Sequence, residues 1–271
     1  MDSPSFEGKM PSISPLSTLS SEFPHSLSDF RLYPLSFILS MLGLFVILLV
    51  ITLVAAKFAA GKHDTALKLG SRKLVPGAQT AAEAAREFLD ENGASDVQIR
   101  EHTAMISDYF DPARRTLFLN RTTLNGTDLG SWAATLHEAA HATQVGDSAS
   151  ALKWRLTSIR MTRYLPTIIG LIAILFIALK RLPPGIALRL CAVLLALIML
   201  MNVMSLPVEF NASNRALAWL ERKLRRHPDT IDAITPILRN VAFRDTGAFL
   251  RSPMYCLFGL LPIGGKSRPK K

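Results

Sequence analysis

The sequence predicts an α+β membrane protein in which a small α/β unit follows an N-terminal spanning helix and is interrupted by a spanning helical hairpin. Three observations lead there. Leu35 to Ala56 is a run of 22 residues without a charge, enough for a hydrocarbon core that takes about 20 helical residues to cross. Two further apolar runs, Tyr164 to Leu179 with 16 residues and Leu190 to Leu206 with 17, are joined by Lys180-Arg181-Leu182-Pro183-Pro184-Gly185, so they read as the arms of a hairpin. Between the first run and the hairpin the pattern changes to short amphipathic and alternating segments. The overall composition agrees, with 49% hydrophobic residues and a mean hydropathy of +0.26, since that much apolar content in 271 residues exceeds what one small core takes up.

Residues 1–34 are rich in Ser and Pro and read as a disordered tail, because such a segment buries too little surface to offset its ordering entropy. The first spanning helix is 35–56. It is no cleaved secretory signal, since 34 residues precede it and its apolar stretch exceeds the usual length of about 7–15. In the segment 57–163, Thr80-Ala81-Ala82-Glu83 forms a capping box. Ala84, Ala85, Phe88 and Leu89 share one face, and Gly93 gives a stop, so 80–92 is one helix. Val97 to Arg100 reads as a strand. Ser107 to Phe110 and Thr116 to Asn120 flank the turn-forming Asp111-Pro112-Ala113-Arg114 and read as a β-hairpin. A second helix runs from near Asp128 to about Gln144. The hairpin occupies 164–206, with Arg163, Lys180, Arg181 and Arg189 snorkelling to make up for its short arms. A helical segment fills 207–241. The remainder, 242–271, is an apolar stretch broken by Arg244, Asp245 and Arg251, and it reads as a surface-lying segment held by its basic tail.

The net charge of +10 does not indicate nucleic acid, because the basic residues bracket the apolar runs instead of forming a stripe with interleaved aromatics. It indicates lipid. Lys57, Lys62, Lys68, Arg72 and Lys73 follow the first span and Lys153, Arg155, Arg160 and Arg163 precede the second, so 57–163 is expected on the cytoplasmic side. Arg215, Arg222, Lys223, Arg225 and Arg226 return the chain to that side after the third. Cys191 and Cys256 have no paired spacing and read as small apolar residues.

The chemistry lies in His137-Glu138-Ala139-Ala140-His141. Two histidines four apart lie one turn above each other on a helix face, so both imidazoles reach one zinc ion. Glu138, about 100° around the helix, can address a water at that ion without ligating it, as a general base. A catalytic site of this kind uses a third protein ligand and leaves a position open. Asp147 is the nearest downstream carboxylate, but it follows Gly146, where the helix ends. Glu209 is the stronger candidate, because the hairpin returns it to the side of the membrane where the His137 helix lies, and the 67 residues between them are no obstacle.

These residues resemble the YugP-type neutral zinc metallopeptidases, a family of bacterial membrane proteins, over about Gly77 to Leu220. The resemblance is carried by Thr80 to Gly93, by Ser107-Asp108-Tyr109-Phe110-Asp111-Pro112, by His137 to Gln144, and by Leu206-Pro207-Val208-Glu209-Phe210-Asn211-Ala212-Ser213. It implies a zincin-like unit facing the cytoplasm, with His137, His141 and Glu209 as zinc ligands and Glu138 as the base. The Glu-Phe-x-Ala pattern is also similar to that of the HtpX-like membrane proteases. The chain departs from the family pattern at Tyr109, Phe110 and Asn211, the last replacing an acid that would add charge beside a ligating histidine.

The expected protein is therefore a multi-pass metallopeptidase of the bacterial cell (inner) membrane that cuts peptides or membrane proteins near the cytoplasmic face. The alternatives are an intramembrane protease and a catalytically weak or inactive zinc-binding adaptor. The strand Thr116 to Asn120 or its neighbour would offer the edge on which a substrate lies. Tyr109, His102 and Arg215 are unranked candidates for the donor to the developing oxyanion.

Overall fold

A computed structural model describes residues 35–103, 107–144 and 149–260. The N-terminal tail, Asp147 and the basic tail from 261 onward lie outside the described residues. The chain divides into two compact units, Met1–Ser40 and Met41–Lys271. Of the first, the described residues are the opening of helix α1 (Leu35–Gly70). The rest of that helix and all other elements belong to the second.

The described residues are mostly helical, with one small sheet. Helix α1 does not stop at Ala56, where charge begins. Ala59, His63, Ala66 and Gly70 continue a buried stripe along one side while Lys57 and Lys68 are exposed, and this helical spacing carries the helix on to Gly70. Helix α2 (Ala81–Glu91) is capped as its sequence predicts: Glu83 N–H donates to Thr80 Oγ1 and Thr80 N–H donates to the Glu83 carboxylate. It buries Ala81, Ala84, Ala85, Phe88 and Leu89, and Gly93 after it has a φ of +72°, a conformation that costs glycine least.

Strands β1 (Gln98–His102), β2 (Tyr109–Asp111) and β3 (Thr116–Asn120) form a sheet of order β1-β3-β2. β3 pairs parallel to β1 and antiparallel to β2, with Phe110 opposite Leu117. The predicted hairpin is therefore present, and β3 lies in the middle. It offers no edge for a substrate; its neighbour β2 does, because β1 and β2 take the outer positions.

After the short helix α3 (Arg121–Leu124), helix α4 (Leu129–Thr143) runs through the centre, packed against α2, the sheet and two later helices. Its N-cap is Asp128, whose carboxylate accepts from Ser131 N–H at 2.9 Å and Ser131 Oγ–H at 2.6 Å. Nearly every residue from Leu129 to Ala142 is buried, which the small side chains of Gly130, Ala133, Ala139, Ala140 and Ala142 permit by letting neighbouring backbones approach.

Helices α5 (Ala149–Ala178) and α6 (Pro184–Lys223) form the hairpin. They are far longer than the apolar runs within them, 30 and 40 residues, so neither arm is short. The helices pass without a break through the expected boundaries at 56/57, 163/164 and 206/207. Among the described residues three helices are long and apolar enough to cross a membrane: Gly43–Gly70, Ser150–Ala178 and Pro184–Lys223. They leave Ile51, Val54, Leu171, Ile174, Leu197 and Leu200 exposed, an apolar surface that lipid covers at no cost.

Helix α7 (Pro228–Val241) covers α4, and the chain then makes α8 (Arg244–Gly247), a 3-10 turn (Ala248–Arg251) and α9 (Ser252–Leu260) against α5. Within the described residues each of these is too short to span a membrane. The main core joins Phe88, Trp132, Leu136, Leu117 and Leu119 to Trp219, Ile234 and Leu238, with the Phe88 and Trp219 rings edge-on at 5.7 Å. Where α1 meets α4, a Cβ on Gly70 would lie 2.6 Å from Gly130 Cα. Gly70→Ala is therefore expected to destabilise the protein by about 1–3 kcal/mol, the usual effect of overpacking, as a lowered apparent Tm in detergent.

Candidate metal centre

Helix α4 holds the motif in place from both ends. Near its start Leu129 N–H bonds the Lys73 carbonyl and Val75 N–H bonds that of Thr127, both at 2.9 Å. At its C-terminus Arg115 Nη1–H donates to the Ala142 carbonyl and Arg215 Nη1–H to that of Thr143, each at 3.3 Å, cations where the helix dipole favours them. His137, Glu138 and His141 are fully buried, with ligand atoms within 4.8 Å of one another.

Helix α6 brings Glu209 to the same point. Its buried face reads Asn202, Ser205, Glu209, Ala212, Ser213 and Ala216, a helical repeat that continues the hairpin toward α4. Glu209 Oε2 lies 3.0 Å from His137 Nε2 and 3.3 Å from His141 Nε2. The structure thus brings all four expected site residues together.

Hydrogen bonding decides which ring nitrogens carry protons. Ser213 Oγ–H donates to the Leu238 carbonyl at 2.9 Å, which leaves its oxygen to accept from His137 Nδ1–H, also at 2.9 Å. Gln144 Nε2 donates to the Val208 carbonyl at 3.0 Å and to Asn211 Oδ1 at 2.8 Å. Its Oε1 is thereby turned to accept from His141 Nδ1–H at 2.7 Å. These bonds favour the Nδ1–H tautomer in both rings and turn both Nε2 atoms toward Glu209, and His141 Nε2 has no hydrogen-bond partner among the described residues. Burial, and then the positive charge of Arg155, lower the His141 pKa and keep that ring neutral.

Three lone-pair donors converging at this range fit a cation. Ligand distances of about 2.0–2.1 Å around a tetrahedral zinc imply ligand-to-ligand edges of about 3.3 Å, close to those seen here. The donor set, two imidazoles and a carboxylate, is one that zinc takes.

Around these residues lies a cluster of buried charge. Glu138 Oε1 is 2.6 Å from Arg244 Nη1, and Phe110 N–H, on the outer side of β2, donates to Glu138 Oε2 at 3.2 Å. Arg155 Nε–H donates to Glu209 Oε1. Asp245 receives Arg163 Nη2 at 3.0 Å and Arg244 Nη2 at 3.2 Å, and Arg244 Nη1–H also donates to the Asp108 carbonyl at 2.8 Å. Burial by itself would raise the Glu138 pKa, but Arg244 and then Arg155 more than offset this and hold it below the ordinary carboxylate value. Asp245 behaves alike: burial raises it, and Arg244 and then Arg163 pull it well below.

The sequence pattern places Arg244 and Asp245 on a surface-lying segment, and the structure corrects that, because they lie in the charge cluster and their charges are matched there. The available signal was charge inside an apolar stretch next to spanning helices, which is costly and for that reason usually functional. Asn211 also acts differently from the expectation: it holds Gln144, which in turn orients His141. Of the oxyanion candidates, Tyr109 stacks on Phe118 with ring centroids 5.1 Å apart, His102 lies 3.7 Å from Asp108, and Arg215 bonds Asn211 at 3.0 Å.

Two measurements check this arrangement. Gln144→Ala is expected to weaken zinc affinity by about 10–100-fold, read by competition with a chromophoric chelator. Asp245→Asn leaves Arg163 and Arg244 without their carboxylate and is expected to destabilise the protein at pH 7 by about 3–5 kcal/mol. Because the folded Asp245 pKa is depressed, its stabilisation is complete above the unfolded value of about 3.9 and is lost as pH falls through the folded one. The Tm gap between variant and wild type is therefore expected to be full at pH 7 and to narrow only below about pH 4.

Comparison with known proteins agrees with the site. The profile of a family described as "Putative neutral zinc metallopeptidase" matches residues 44–257. Among curated proteins, "Putative membrane protease YugP" from Bacillus subtilis (strain 168) is 29% identical over 173 residues, which cover 64% of this chain and 76% of that one. No solved structure matches the chain. Since the profile takes in most of the chain, including α4 and α6, which carry the candidate metal ligands, the chain belongs to this neutral zinc metallopeptidase family.

Proposed function

We propose that this protein is a membrane-anchored zinc metallopeptidase that hydrolyses peptide bonds beside the cytoplasmic face of the bacterial cell membrane. The observation that carries the reading is the convergence of His137 Nε2 and His141 Nε2 on Glu209 Oε2, with a second carboxylate, Glu138, on the helix of the histidines. His137, His141 and Glu209 would hold the ion and Glu138 would serve as general base.

Zinc bound there would polarise a peptide carbonyl and lower the pKa of a water toward about 7. The protein's own residues supply the rest. Glu138, ionised because Arg244 and Arg155 offset the effect of burial, accepts the proton of the attacking water and later passes it to the departing amine. Ser213 and Gln144 keep both imidazoles turned so that Nδ1 donates and Nε2 is free. The outer edge of β2 lies beside Glu138, where Phe110 N–H reaches the carboxylate, and would receive an extended substrate as an added strand. This combination of motif helix, third ligand from a later helix and adjacent sheet edge supports the zincin-like reading.

The cytoplasmic placement is supported by the positive residues that follow the first spanning helix and bracket the hairpin. Glu209 stands one turn past the apolar run that ends at Leu206, so the site is expected at the membrane boundary and not within the bilayer. Lipid around the three helices and peptides or membrane proteins reaching that boundary are the partners this reading implies.

The test is Glu138→Gln. It is expected to retain stoichiometric zinc while hydrolysis of a mixed fluorogenic peptide library falls to background, and Glu209→Ala is expected to lose zinc. Full zinc in the second variant would remove Glu209 from the ligand set. A wild-type protein purified with little zinc would turn the reading toward a non-catalytic adaptor.

A further inference from the structure

Arg155 is set in α5 ahead of the apolar run that begins at Tyr164, yet only 3% of its side chain is exposed. Its Nε–H is used on Glu209 Oε1. Its Nη2 is buried and has no hydrogen-bond partner among the described residues. The nearest carboxylate oxygens to that nitrogen are Asp245 Oδ2 at 3.7 Å and Glu138 Oε2 at 3.9 Å. Arg244 is engaged through Asp108, Glu138 and Asp245; Arg163 reaches Asp245 through Nη2, although its Nε, farther from the base, is also buried without a partner among the described residues. A charged donor kept from water and left without an acceptor is rare in a folded protein and calls for an explanation. Here it lies between Glu138 and Asp245, on the guanidinium whose Nε–H holds the candidate ligand Glu209.

The charges around that nitrogen point to what it receives. Glu138, Glu209 and Asp245 are matched by Arg155, Arg163 and Arg244, so a divalent cation at His137, His141 and Glu209 makes the cluster positive. Such a site favours negative charge that develops during a reaction. We propose that Arg155 Nη2–H receives the scissile carbonyl oxygen as it becomes an oxyanion. This rests on the peptidase reading above. As the water oxygen bonds to the carbonyl carbon, one of its protons passes to Glu138 and the C=O π electrons move onto the carbonyl oxygen, where Arg155 stabilises them. When the C=O re-forms, the C–N bond breaks and the proton on Glu138 goes to the amine nitrogen, giving an amine and a carboxylic acid that keeps the second water proton; that proton then passes to the amine or to solvent, leaving the carboxylate. Arg155 is then a catalytic residue that approaches from the membrane hairpin, whereas Arg244 positions the base.

The experiment compares Arg155→Lys with wild type in detergent. Lysine keeps the charge beside Glu209 and Asp245, but one ammonium cannot reproduce the fixed fork that reaches both Glu209 and the substrate oxygen. Three quantities are read: zinc content, kcat and KM on a fluorogenic peptide library, and binding of two inhibitors. The first inhibitor is a phosphinic pseudopeptide, whose tetrahedral P–O⁻ imitates the oxyanion; the second is a peptide hydroxamate, which grips zinc without that geometry. The expected result is unchanged zinc, hydroxamate binding and KM, with kcat lowered by about 10²–10³-fold and phosphinic affinity falling in step. Should the lysine variant lose zinc, Arg155→Gln, which can still donate to Glu209, is read on its zinc-loaded fraction with the same expectations. Undiminished kcat and phosphinic affinity per bound zinc in these variants would overturn the assignment and leave the peptidase reading standing. Wild-type protein that holds zinc but neither cuts the library nor binds the phosphinic peptide would overturn both.

Discussion

The interior of this protein contains ionised carboxylates that could not stay ionised alone. Glu138, Glu209 and Asp245 are almost wholly buried, and a lone carboxylate so placed would take up a proton sooner than keep its charge. Arg155 and Arg163 on α5 and Arg244 on α8 are brought to the same place and supply the opposing charge. The cluster consequently ties four chain segments together, since α4, α5, α6 and the segment after α7 each contribute a member. Losing any one of these elements leaves the others with unmatched charge, so the α5–α6 hairpin and the motif helix are parts of one site.

This arrangement gives the two carboxylates beside the histidines different partners. Glu209 turns one oxygen to the imidazoles and the other to Arg155, which suits a ligand. Glu138 is bound by Arg244 and a strand N–H on β2 and stays clear of the convergence point, which suits a base. Both are glutamates in the same buried setting, and only their partners distinguish them. The partners of the histidines matter as much: Ser213 and Gln144, one on α6 and one at the end of α4, choose the tautomers that leave Nε2 bare.

Much was legible in the sequence because it depended on local repeats. The apolar run from Leu35, the capping box at Thr80, the alternation in Thr116 to Asn120 and the four-residue spacing of His137 and His141 follow from the geometry of single elements. Helix ends were less legible. α1, α5 and α6 run past their apolar cores because small or amphipathic residues continue one buried face, a face whose partner lies elsewhere in the chain. Arg155, Arg244 and Asp245 were missed for a related reason: as isolated letters they mark solvent or an interrupted span, and their roles exist only where they meet.

What the sequence alone determined was therefore the opening motif of the metal centre and the membrane character of the chain, since both come from spacing within a continuous helix. The tertiary structure decided which atoms face one another across α4, α5 and α6: the Nε2 pair with Glu209, the Arg244 contact to Glu138, and the Nη2 of Arg155 between Glu138 and Asp245. The physical reason is that burial makes each of these charges depend on partners dozens of residues away, and no local pattern encodes a distance across the fold.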